Sequence, residues 1–103
     1  MKVEQINADS QATLLSLMQE SHKKDGTDLA NEWPQIETAI STLLKDDKAG
    51  EAYLIFDDKD QPVGYMIMCR GFSLDYGGYF TWIEETYVRQ SEQGLFRDQR
   101  FSP

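Results

Sequence analysis

Two adjacent carboxylates set the chemistry this chain can be asked to do. The segment Ile83-Glu84-Glu85-Thr86-Tyr87-Val88-Arg89 places them among large apolar residues. A carboxylate in a half-buried strand is costly unless it is paired or hydrogen-bonded. Acids in such a run therefore need an ion pair or a hydrogen-bond partner. Successive strand residues point to opposite faces, so plain alternation predicts that Glu84 and Glu85 do not share one pocket wall. The alternative without chemistry is that one acid reaches solvent and the other pairs with a basic residue.

The remaining reactive residues read as structural. Cys69 stands in an apolar run with no histidine beside it, as a buried thiol would. As the single cysteine it excludes an internal disulfide and a cysteine-rich zinc site, and the single histidine, His22, excludes a multi-histidine one, so no metal is expected. His22, beside Lys23, reads as an exposed or helix-end residue. Asp57-Asp58-Lys59-Asp60 lacks the glycine and distal glutamate of a calcium loop and reads as a solvated turn. Met66 and Met68 read as core. Tyr76, Tyr79, Phe80 and Trp82 read as sheet packing, with Trp82 or Tyr76 also suited to flank an amine.

The elements that must position these residues follow from periodicity. Met1–Ile6 reads as a short first strand. Asp9 or Ser10 can cap a helix carrying Ala12, Leu14, Leu15, Leu17 and Met18 on one face, which fades at Lys23–Gly26. After a loop, Pro34 suits the first turn of a second helix with Ile36, Ala39, Ile40, Leu43 and Leu44 as its stripe. Ala52–Phe56 is an apolar run expected to be a strand buried on both faces. Pro62–Arg70 follows a polar turn at Asp57–Gln61 and should form an antiparallel hairpin with it. A glycine-containing connection over Gly71–Gly78 leads to the last strand, Tyr79–Val88. The fold class is α+β in the order β-α-α-β-β-β, a mainly antiparallel sheet with two helices.

Size and charge bound the rest. The 103 residues suffice for one domain that folds without staples, with 40% hydrophobic and 27% charged residues, as in ordinary soluble proteins. A formal charge of −8 disfavours nucleic acid and anionic membranes as partners and suits cationic small molecules, or solubility alone. No apolar run approaches the roughly 20 residues of a membrane span, and MKVEQINADS lacks the apolar core of a secretory signal, so a cytoplasmic location is expected.

The element order, the hairpin sequence Pro62-Val63-Gly64-Tyr65 and the segment IEETYVRQSEQG resemble the N-terminal part of the Gcn5-related N-acetyltransferase family. Phe72-Ser73 through Gly78, with Ile83–Val88, most resemble its diamine and polyamine branch. The resemblance covers residues 1–94 and implies a truncated acetyltransferase-like domain followed by an atypical tail, 95–103. It implies acetyl transfer from acetyl-CoA to a small amine or polyamine. Glu84 and Glu85 would lie near the acceptor amine as the catalytic acids, while Thr86, Tyr87 and Val88 would offer backbone groups to the pantetheine arm. Gln93 and Gly94 match the opening of the family's glycine-rich turn, whose amides cradle the cofactor's pyrophosphate. Phe96 and Asp98 then depart from it, with bulk and negative charge where small residues should stand. The pyrophosphate site is accordingly expected to be lacking, and the isolated chain inactive.

Interruption at this point would leave the last strand as an edge bearing Tyr79, Phe80, Trp82, Ile83, Tyr87 and Val88. Such edges are normally covered, and a second copy is the simplest cover, which predicts a homodimer through the last strand. Three readings stand at this point: the acetyltransferase or a descendant of one, a non-catalytic homodimeric binding module on the half-fold, and an unrelated small α+β protein. Sheet order separates the third from the others.

Overall fold

Leucines and methionine at helical spacing decide where the layers meet. The computed structural model describes residues 1–26 and 31–89. Helix α1 spans Gln11–Lys24 and buries Leu14, Leu17, Met18 and Ser21, an i, i+3, i+4, i+7 stripe. Ser10 is its N-cap residue without a side-chain cap bond; the Ser10 hydroxyl accepts from the Asn7 amide instead, at 2.8 Å. Helix α2 spans Trp33–Lys45 with Pro34 in its first turn, where the missing N–H costs nothing.

Four strands complete the order expected from periodicity: β1 Lys2–Gln5, β2 Gly50–Phe56, β3 Pro62–Ser73 and β4 Gly78–Val88. Among the described residues they form one antiparallel sheet in the spatial order β1-β2-β3-β4. Both helices cover the same sheet face. Leu14, Leu17, Met18 and Ile40 pack there on Ala52, Leu54, Tyr65 and Ile67, and the register pairs Ala52 with Ile67 and Leu54 with Tyr65. The opposite face carries a polar cluster in which Arg70 binds the Glu51 carboxylate and the Asp47 carbonyl.

β1 is shorter than the expected Met1–Ile6 and β2 starts at Gly50 rather than Ala52, but the boundary differences that shape the sheet concern β3 and β4. The connection placed at Gly71–Gly78 shrinks to residues 74–77, because Phe72 and Ser73 pair with Tyr79 and Gly78. The reason is cross-strand aromatic packing: Phe72 meets Tyr79 edge-on at 5.4 Å, and Phe80 and Trp82 lie 5.4 Å apart over Gly71, where a Cβ would come within 2.9 Å of both rings. β2 ends its pairing at Cys69, so past Arg70 the two strands continue as a two-stranded ribbon beyond the sheet. The aromatics read as sheet packing are therefore only partly so. Tyr76 and Tyr79 are 76% and 69% exposed, since no helix reaches over the ribbon.

The turn after β2 is the solvated one expected: Asp57 accepts the amides of Lys59 and Gln61, and Asp60 takes a left-handed φ of 62°. None of the described helices is long and apolar enough to cross a membrane.

Candidate active site

The two carboxylates fall on β4 where its register slips. Ile67 on β3 pairs with Glu85, but the next residue, Met68, pairs with Ile83, so Glu84 has no cross-strand partner. This extra residue is a β-bulge, and it breaks the alternation on which opposite faces were expected. Glu84 and Glu85 both line one cavity on the helix-covered face, which corrects the expectation that they cannot share a wall.

That cavity measures about 560 Å³, within the range of roughly 300–1,000 Å³ typical of small-molecule sites. Helix α2 contributes Ile36, Ala39, Ile40, Thr42 and Leu43; α1 contributes Met18, and β3 contributes Ile67 and Cys69. Met18, Ile40 and Ile67 are buried, whereas Ala39, Thr42 and Glu84 are exposed. The apolar wall is thus deep and the charge sits at the rim. Burial and the nearby Glu84 charge push the Cys69 thiol up, so it stays protonated lining material, as its apolar run suggested.

Each carboxylate is half engaged. Glu84 accepts from the Trp82 indole N–H through Oε2 at 2.7 Å. Glu85 uses Oε1 for two donors, the Tyr65 hydroxyl and His22 Nε2, the latter at 2.8 Å. The other oxygen of each acid has no hydrogen-bond partner among the described residues. Tyr65 is fully buried, and burial together with Glu85 holds its phenol well above the ordinary tyrosine range. It therefore stays a neutral donor that fixes Glu85 against β3.

His22 is the residue whose contact with the site the sequence reading missed. It lies in the last turn of α1, as expected, but is not an exposed helix-end side chain: 22% of it is accessible, and its ring is turned onto Glu85. The signal that could have found it was the helical stripe, since His22 follows the buried Ser21, one helical turn after Met18. A second pair closes the same end of the molecule. Glu20 accepts from Tyr87 at 2.7 Å and from Arg89 at 2.9 Å and 3.0 Å, tying α1 to the end of β4.

The backbone at that end is partly turned outward. The Arg89 amide donates to the Val63 carbonyl, so by antiparallel alternation Glu85 and Tyr87 turn their backbone groups to β3 while those of Thr86 face away. A pantetheine arm would thus find Thr86 groups at its disposal, while the Tyr87 hydroxyl is held by Glu20. Val88 pairs with Gly64 in the β3 register. Gln93 and Gly94, matched to the pyrophosphate turn, lie outside the described residues, as do Phe96 and Asp98.

No protein-family model matches the chain. No curated protein matches it either. Solved structures do. An integron cassette protein from the mobile metagenome of Cole Harbour Salt Marsh is 26% identical, with a TM-score of 0.81 over 91% of this chain and 60% of its own. A possible acetyltransferase from Clostridium difficile is 19% identical, with a TM-score of 0.72 over 95% of this chain and 64% of its own. The ribosomal-protein-alanine N-acetyltransferase from Brucella melitensis biovar Abortus is 16% identical, with a TM-score of 0.65 over 98% and 66%. This chain thus spans 60 to 66% of the length of those structures. Its fold is that of the Gcn5-related N-acetyltransferases, which removes the unrelated α+β alternative.

Proposed function

We propose that this chain carries the acceptor side of an acetyl-CoA-dependent N-acetyltransferase acting on a small amine or polyamine. The observation that carries the reading is the bulge at Glu84, which turns two carboxylates with open oxygens into one apolar-walled cavity. An ammonium at the rim pairs with those oxygens, and the surrounding charge of −8 raises its local concentration. An amine attacks a carbonyl only as the neutral base, so a proton must leave it. Glu85 accepts that proton, directly or through a water, on the oxygen that its Tyr65 and His22 contacts leave open. Tyr65 keeps the carboxylate oriented meanwhile. Acetyl-CoA supplies the thioester acyl group when bound, and outward-facing Thr86 would hold its pantetheine arm, with Gln93 and Gly94 toward the pyrophosphate by resemblance.

Thiol release from acetyl-CoA in the presence of a panel of primary amines tests this. Amine-dependent release that Glu85→Gln lowers about a hundredfold supports it and overturns the expectation that the isolated chain is inactive, since general acid–base groups contribute roughly that much or more. Release absent at every amine, with no acetyl-CoA binding by titration calorimetry, would leave the second reading, a non-catalytic homodimeric module. That reading has its own support in the ribbon past Arg70, where Phe72, Leu74, Tyr76 and Tyr79 are exposed.

A further inference from the structure

We infer that the cavity selects amines with one charged end and one apolar arm, in preference to diamines and polyamines. The inference rests on the amine-binding reading above and narrows it. Besides Glu84 and Glu85 the lining is apolar apart from the Thr42 hydroxyl and the Cys69 thiol, with Met18, Ile36, Ile40 and Ile67 among it. Apart from those two acids and the Cys69 thiol, no titratable side chain lines it among the described residues. A polyamine extended from the rim would place its second ammonium against this wall, where an unpaired charge loses its hydration and gains no partner. An alkyl or arylalkyl arm in the same place loses only water-exposed apolar surface, which favours binding.

Geometry supports the division of labour. Met18, Ile40 and Ile67 are 4%, 3% and 4% exposed, so an arm reaching them leaves water behind. Each carboxylate keeps one oxygen without a partner among the described residues, since Glu85 spends Oε1 on Tyr65 and His22 and Glu84 spends Oε2 on Trp82. One ammonium has three N–H donors, so the two open oxygens can both be met by a single head group. The amine-plus-arm shape matches the two carboxylates and the apolar lining, whereas a second cation finds no second carboxylate pair there.

The test is a binding series with the full chain at pH 7, using butylamine, hexylamine, 1,6-diaminohexane and hexanol, read by titration calorimetry or ligand-observed NMR. Each buried methylene is worth about fourfold in affinity, so hexylamine should bind on the order of fifteenfold more tightly than butylamine. Diaminohexane and hexanol should each bind at least tenfold more weakly than hexylamine. Diaminohexane equal to or tighter than hexylamine, or affinity flat with chain length, overturns the inference and leaves the amine site standing. Failure of every amine to bind, with the chain folded by circular dichroism, overturns the amine site itself and this inference with it.

Discussion

At the scale of single residues, the polar groups of α1 do more than the helix needs for its own stability. Glu20, Ser21 and His22 are consecutive, and Glu20 and His22 reach β4 through Tyr87, Arg89 and Glu85. Hydrogen bonds from Arg89, then from Tyr87, hold the Glu20 carboxyl below its ordinary value of 4.5. Burial, followed by the Glu20 contact, pushes the Tyr87 phenol up to about 12. A carboxyl with a depressed folded pKa stabilises the protein above its unfolded value, and that stabilisation is lost as pH falls through the folded one. Glu20→Gln should therefore lower stability at pH 7 by about 0.5–1 kcal/mol, the modest figure of a partly exposed pair. Urea unfolding at pH 7 and again near pH 3 checks it: the gap between variant and parent should close in acid, and a gap of unchanged size would count against the linkage.

Among the elements, β4 is the one whose irregularity makes the site. Glu84 is inserted between Ile83, which pairs with Met68, and Glu85, which pairs with Ile67. Removing that one residue leaves both flanking registers intact and gives an uninterrupted ladder. Deletion of Glu84 should thus keep the melting temperature within a few degrees of the parent, a change of about 1 kcal/mol or less. The same deletion should weaken amine binding tenfold or more, because one charge-assisted hydrogen bond is worth roughly 1.5–3 kcal/mol. Differential scanning calorimetry beside amine titration separates the two effects. A deletion that unfolds the chain would show the bulge to be structural, and one that binds amines normally would remove Glu84 from the site. The close approach of β3 to β4 at Gly64, where a Cβ would stand 2.3 Å from the Tyr87 carbonyl oxygen, keeps this part of the strand pair tight while the bulge bends the strand beyond it.

For the whole molecule, the open question is what meets β4 on its far side. Among the described residues β4 pairs only with β3, and its ribbon extension carries Phe72, Leu74, Tyr76 and Tyr79 in water, with Trp82 and Ile83 40% and 46% exposed. We propose that a second copy covers the ribbon end of this edge, from Gly78 to Ile83, strand against strand, which leaves the outward groups of Thr86 to the cofactor. Light scattering at micromolar concentration should then return twice the chain mass of 11.9 kDa, and Ile83→Lys should return it to the single value. A parent chain that is monodisperse at 11.9 kDa would end the proposal.

The sequence by itself determined the element order, because helical stripes such as Leu14, Leu17 and Met18 and the apolar runs at Ala52–Phe56 and Pro62–Arg70 are local patterns with local causes. It also marked Glu84 and Glu85, since two acids in an apolar strand conflict with burial wherever that strand lies. Only the tertiary structure decided that they share a cavity and that His22 joins them. A bulge is a mismatch between two strands, and the meeting of a helix end with a strand is set by packing across the core. Neither is written in the spacing of any one segment.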